Sequence, residues 1–185
     1  MSFSGNIKEE LAGHHAKARH CNLAELSALV EMAGAFRETE SGVCRLAIHT
    51  ENLRVARKGF TLLQKTFNIR TDIVVRRNTV KGSSSYHIYA RGEELLAVRQ
   101  AIVQAVCCKR AYIRGAFLAS GSMSDPSKSY HFEIVCEKER QAEHLKEMIN
   151  SFGLDAKIVK RKKAYVVYLK RSEERRVGKE CIALC

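Results

Sequence analysis

The feature that most restricts this chain is a stripe of small residues. In CCKRAYIRGAFLASGSM, positions 107–123, Ala111, Gly115 and Ala119 recur at four-residue spacing. Glycine inside a helix costs about 1 kcal/mol relative to alanine. That cost is recovered where a second backbone must come very close, a use best documented in membrane helices. This stretch is too short and too charged to span a bilayer, so the partner is a soluble helix.

The chain supplies that partner by internal repetition. CNLAELSALVEMAGAF (21–36) lies on CKRAYIRGAFLASGSM (108–123), pairing Cys21 with Cys108, Ala24 with Ala111, Ala28 with Gly115 and Gly34 with Gly121. The offset, about 87 positions, drifts only slightly downstream: LAIHTEN (46–52) matches FEIVCEK (132–138), and FNIRTDIVVRR (67–77) matches FGLDAKIVKRK (152–162). Each half reads helix, strand, helix, strand, strand. SYHFEIVCE alternates, with Tyr130, Phe132, Ile134 and Cys136 on one face, and so reads as a strand. ERQAEHLKEMINSFG has apolar residues at helical spacing and stops at Gly153. The last two segments form a hairpin through Lys162 and Lys163, and the first half has a longer tip, RRNTVKGSSS. A helix over 93–106 joins the halves, and a short helix over 6–11 precedes them. The two small-residue helices are expected to pack across a pseudo-two-fold axis through Ala24, Ala28, Ala111, Gly115 and Ala119. The fold class is α+β, with helices on one face of a mainly antiparallel sheet.

Composition narrows the function. The chain has 185 residues, 45% of them hydrophobic, and a formal net charge of +12. It has no apolar run of membrane-spanning length and no signal-peptide core at MSFSGNIKEEL, so a cytoplasmic protein with no membrane partner is expected. The seven cysteines are odd in number and form no CxxC, which favours reduced thiols. The positive surplus points to a polyanion, with nucleic acid first.

LSALVEMAG (26–34) and IRGAFLASG (113–121) resemble degenerate LAGLIDADG motifs, the paired helices of homing endonucleases. The resemblance implies that the residue before each final glycine should be an acid that brings divalent metal to the scissile phosphates. Ala33 and Ser120 stand there, and Glu31 falls two residues too early. No catalytic residue and no cofactor is therefore expected. Over residues 1–170 the chain more closely resembles the WhiA family of bacterial DNA-binding regulators, through its opening, the 107–134 block and FGLDAKIVKRKKAYVVYLK. That resemblance implies a LAGLIDADG-derived domain that no longer cleaves, with repeats over about 21–92 and 108–170. It also implies a helix-turn-helix domain beyond this chain, roles in transcription, cell division and sporulation, and DNA with other regulatory proteins as partners.

In the related endonucleases the sheet forms the DNA-facing saddle. Here two hairpins at equivalent repeat positions are basic: Arg70, Arg76 and Arg77 in one, Lys157, Lys160, Arg161 and Lys162 in the other. Alternation puts Arg70, Arg76, Lys157 and Arg161 on one face, together with Asp72 and Asp155. These cations are the expected phosphate contacts. HHAKARHC (14–21) carries His14, His15, His20 and Cys21, but it fits no standard zinc-finger spacing and reads as a solvated basic loop. Cys107 and Cys108 read as a helix-start core pair, so no metal site is expected.

The segment RSEERRVGKEC (171–181) matches, residue for residue, one reading frame of a common short-read sequencing adapter. Residues 171–185 are accordingly expected to be foreign to the fold, with the natural chain continuing differently after Lys170. Removing them takes away four basic and three acidic side chains, so the positive surplus survives.

Overall fold

A computed structural model describes residues 2–40, 43–80, 82–127 and 131–169. Its centre is the pair of small-residue helices, α2 (Arg19–Ala33) and α5 (Val106–Ser120). Their N-termini lie together, and they run side by side. A Cβ added at Gly115 would run into the backbone oxygen of Glu25 and stand 3.0 Å from the Cβ of Ala28. The lost helix propensity of Gly115 is thus exchanged for backbone contact between the repeats. Ala24, Ala28 and Ala111 are buried in the same seam, and Ala119 is half-buried at its far end.

Both helices end on a glycine that leads directly into a strand. At Gly34 a Cβ would meet the Val30 oxygen at 2.7 Å and the Ala47 oxygen at 2.9 Å, and at Gly121 the Phe117 oxygen at 2.6 Å. No larger residue fits the turn from helix to sheet at either place.

The strands that follow, β1 (Gly34–Glu38) and β5 (Gly121–Met123), correct the expected element order. Each half is helix, strand, strand, helix, strand, strand. In the first half β1 is followed by β2 (Cys44–Thr50), α3 (Leu53–Phe67), β3 (Thr71–Asn78) and β4 (Ser83–Gly92). In the second, β5 is followed by β6 (Phe132–Cys136), α6 (Glu139–Asn150), β7 (Ala156–Arg161) and β8 (Ala164–Leu169). β1 and β5 are short and apolar only in part, so alternation does not reveal them. Two antiparallel sheets result, ordered β1-β2-β4-β3 and β5-β6-β8-β7, where one sheet was expected. Tyr130 and Lys81, and the 170–185 segment with its adapter match, lie outside the described residues.

The joining helix is also corrected. Residues Glu93–Leu95 make a 3-10 turn, α4 (Leu96–Arg99) adds one helical turn, and 101–104 are not helical. The chain must reverse here to lay α5 beside α2, and Ala105 enters α5 in an extended conformation. The first helix, α1 (Phe3–Gly13), is longer than expected because Ser2 caps it, accepting the Gly5 N–H at 3.1 Å. The loop reading of 14–21 does not hold for His20 and Cys21, which begin α2.

One core runs through both halves, from Leu26, Leu29, Ile48 and Leu62 to Phe117, Ile134, Leu145 and Val167. Three charges are buried within it. Arg114 of α5 grips Glu25 of α2 with two bonds, Nε to Oε1 at 3.1 Å and an Nη to Oε2 at 2.9 Å. Lys58 of α3 lies 3.2 Å from the same carboxylate and also donates to the backbone oxygen of His14 at the end of α1. Burial pulls the Lys58 ammonium below its ordinary range, and Glu25 opposes that pull. Three helices therefore meet on one carboxylate, and Lys58 ties the end of α1 to them.

Two substitutions test this junction. Gly115→Ala should destabilise the fold by about 1–3 kcal/mol in chemical denaturation, because the Glu25 backbone has to move. Glu25→Ala should lower stability further, by about 3–5 kcal/mol, since it leaves two buried cations without their carboxylate.

Candidate nucleic-acid interface

Strand pairing decides which side chains share the sheet faces away from the helices. In the first sheet Leu46, Ile48, Ile88 and Ala90 are buried on the helix side. The alternate residues lie on the other face. Register places Arg37 of β1 opposite Arg45 of β2, and Arg45 opposite Arg91 of β4. Three arginines thus form one row across three strands, and all three are exposed. Like charges directly opposite each other repel, so the row concentrates unbalanced positive charge on this face. A groove beside it is lined by the three arginines and Arg70, with the carboxylates of Asp72, Glu93 and Glu94 at its wall.

Further along the same face His49 opposes His87, with ring centroids 4.6 Å apart, and His87 stacks on Tyr89. Burial, with help from His49 and Arg76, lowers the pKa of His87 below the usual imidazole value. Arg76 sits opposite Ser85 near the hairpin tip. Arg70 and Arg76 therefore do share this face. Arg70 is 3.8 Å from Asp72, an exposed pair that solvent screens.

The second sheet places Lys157 and Arg161 on its corresponding face, opposite Tyr168 and Ala164. The field there is weaker. An Arg161 Nη donates to Glu133 at 3.0 Å, and Lys157 lies 3.4 Å from Asp155. Val135 and Val159 are exposed beside them. Arg77 and Lys160 have the opposite parity and so lie on the helix side of their strands, away from the expected contact face. Lys160 is held over the ring of Tyr165, whose hydroxyl donates to Glu139 of α6. Lys162 sits in the two-residue turn with φ 54°. The two hairpins are thus unequal, and the strongest cationic surface lies on the first sheet.

Arg37, Arg45 and Arg91 were absent from the sequence-based candidates. Each stands alone in its strand, and only the pairing of three strands, one of them undetected, makes a row of them.

Ala33 and Ser120 are the last residues of α2 and α5. The nearby Glu31 accepts the Tyr112 hydroxyl at 2.5 Å, and its backbone oxygen accepts from Gln141. Burial and the Glu31 charge push the Tyr112 pKa up, which keeps that donor protonated. Among the described residues, the helix ends carry no group of three or more His, Cys, Asp or Glu side chains close enough to share an ion.

Residues 19–99 match the WhiA N-terminal LAGLIDADG-like domain, and residues 109–175 match the WhiA LAGLIDADG-like domain. The chain belongs to the WhiA family. It is 44% identical to a "Probable cell division protein WhiA" of Lachnoclostridium phytofermentans over 94% of its own length. It spans 62% of that relative. Full-length DUF199/WhiA from Thermatoga maritima superposes with a TM-score of 0.81 at 21% identity, over 100% of this chain and 61% of that one. The homing endonuclease I-DmoI, solved in complex with DNA and Mn, superposes with a TM-score of 0.60 at 14% identity, over 83% of this chain and 91% of that one. The fold is that of WhiA and the LAGLIDADG endonucleases. Among the described residues, no helix is long and apolar enough to cross a membrane.

Proposed function

We propose that this chain is the DNA-contacting, non-cleaving part of a regulator of transcription and cell division, acting in the cytoplasm on the nucleoid. The row Arg37–Arg45–Arg91 carries the reading. Three repelling cations, with Arg70 and Arg76 on the same face, are best relieved by a phosphate backbone. The fold of I-DmoI, a protein solved with DNA, supports a sheet surface of the right kind. Lys157 and Arg161 extend the contact to the second sheet. Arg77, Lys160 and Lys162 add charge without sharing the face. A helix-turn-helix domain outside this chain supplies sequence preference, and roles in sporulation belong to the whole regulator.

Strand cleavage is not part of this function. Ala33 and Ser120 offer no carboxylate where the LAGLIDADG motifs place their acids, so divalent metal has no ligands beside the scissile phosphates. A second reading, a protein-docking module, is favoured by one observation: the second sheet's outer face carries exposed Val135 and Val159 beside cations that each have a carboxylate within 3.4 Å. A partner protein on that face is compatible with DNA on the first.

Fluorescence anisotropy with duplex DNA tests the DNA reading. Non-specific binding is expected, with Kd on the order of 10⁻⁴–10⁻⁶ M at physiological salt, weakening as salt rises. The triple variant Arg37→Ala/Arg45→Ala/Arg91→Ala should lose affinity and reduce the salt slope by roughly one unit per contact. Arg77→Ala/Lys160→Ala should change both much less. Equal losses in the two variants would show that total charge, and not the sheet face, attracts DNA.

Plasmid incubated with the chain and magnesium or manganese should stay supercoiled. Nicking that vanishes with Glu31→Ala and is absent from a mock preparation would restore a nuclease.

A further inference from the structure

The far end of the helix pair, remote from Ala33 and Ser120, holds a cluster that the DNA reading does not use. His20 and Cys21 occupy the first turn of α2, and Cys107 and Cys108 the first turn of α5. One donor atom from each lies within 4.8 Å of all the others. The His20 Nδ1 is 3.1 Å from the Cys108 Sγ and 3.4 Å from the Cys21 Sγ. Tetrahedral zinc with Zn–S near 2.3 Å and Zn–N near 2.0–2.1 Å sets its ligand atoms about 3.5–3.8 Å apart. The two His20 contacts, at 3.1 and 3.4 Å, are slightly inside that spacing, and every other pair of donors lies within 4.8 Å, so small side-chain shifts reach it.

We propose that His20, Cys21, Cys107 and Cys108 bind one zinc ion as a structural clip between the two repeats. Three thiolates and an imidazole are a soft donor set that selects zinc over magnesium or calcium. Four protein ligands close the tetrahedron, which is the mark of a structural ion.

Three further features support the site. It obeys the internal repeat: His20 is the counterpart of Cys107, and Cys21 of Cys108, so each half gives two neighbouring ligands. It sits where the N-terminal turns of α2 and α5 converge, so one ion there would touch both halves. Its inner wall is dry, made by Ala24, Ala111, Ala16, Ala18 and Val103 around buried Cys21 and Cys108, while His20 and Cys107 are exposed and give the ion a way in. Loading displaces the thiol protons into solvent. The ion would then tie positions 88 residues apart, at the end of the seam opposite the glycine turns.

A redox pair is the competing use of these thiols. Adjacent Cys107 and Cys108 lack the CxxC arrangement, and two of the three thiols are buried away from an attacking partner.

The test uses the full chain, purified without a metal-binding tag under reducing conditions. Elemental analysis should find one zinc per chain. Cobalt substitution should give thiolate-to-metal charge-transfer absorption and the visible bands of a tetrahedral site. The variants His20→Asn and Cys107→Ser change exposed side chains, so they should keep the wild-type circular dichroism. Together they should abolish the charge-transfer signal and the zinc. Added zinc should raise the Tm of the wild type and leave that of the double variant unmoved. A reduced, folded wild type that shows no cobalt–thiolate absorption would overturn the proposal. So would an equal signal in the double variant, which would place the metal on other cysteines. A chain that resists thiol alkylation until it is reduced, with no metal present, would assign the cluster to a disulfide instead.

Discussion

Everything in this fold hangs on how closely α2 and α5 approach. Gly115 admits the Glu25 backbone to a distance that no side chain would permit. The closeness has an electrostatic consequence. It puts the Glu25 carboxylate inside the protein, where an isolated charge is prohibitively unfavourable, and Arg114 and Lys58 must follow it in. Burying such a group gains little net stability over an apolar equivalent. What it does is tie α2, α3 and α5 together at one point, since each contributes one of the three charges. The sheets then inherit their positions from the glycine turns at the helix ends.

The two sheets have diverged in what they present. The first carries its arginines in a row with no carboxylate opposite them in register. The second pairs its cations with Glu133 and Asp155 and exposes valines between them. A symmetric scaffold therefore supports an asymmetric surface. Electrostatic attraction is concentrated on one side, while the other is suited to a less charged partner.

Much of this was legible in the sequence. The four-residue spacing of Ala111, Gly115 and Ala119 predicted the helix seam, and the repeat located its partner. Strand alternation put Arg70 with Arg76 and Lys157 with Arg161, but the two pairs lie on separate sheets and not on the single face expected. The same alternation sets Arg77 and Lys160 on the opposite face, a distinction that the total charge of a hairpin conceals. Other features were not legible, for specific reasons. β5 has three residues, too few for any period to show. The arginine row exists only across strands. Glu25, Lys58 and Arg114 look in one dimension like ordinary solvated charges, since nothing local marks a charge as buried. The His20–Cys107 cluster joins two adjacent pairs from distant helices, so no spacing rule finds it.

The repeat relation also shows how unequally the buried ion triad is shared between the halves. In the second half the counterparts of Glu25 and Lys58 are Tyr112 and His144, which meet as rings edge to face, 5.4 Å between centroids. The counterpart of Arg114 in the first half is Ser27. Two copies of the second half would bring two Arg114 guanidinium groups into a core with no carboxylate to receive them. Two copies of the first would leave each Glu25 without its bidentate partner. The two halves are therefore complementary and no longer interchangeable: the Arg114 guanidinium that one buries is met by the Glu25 carboxylate of the other.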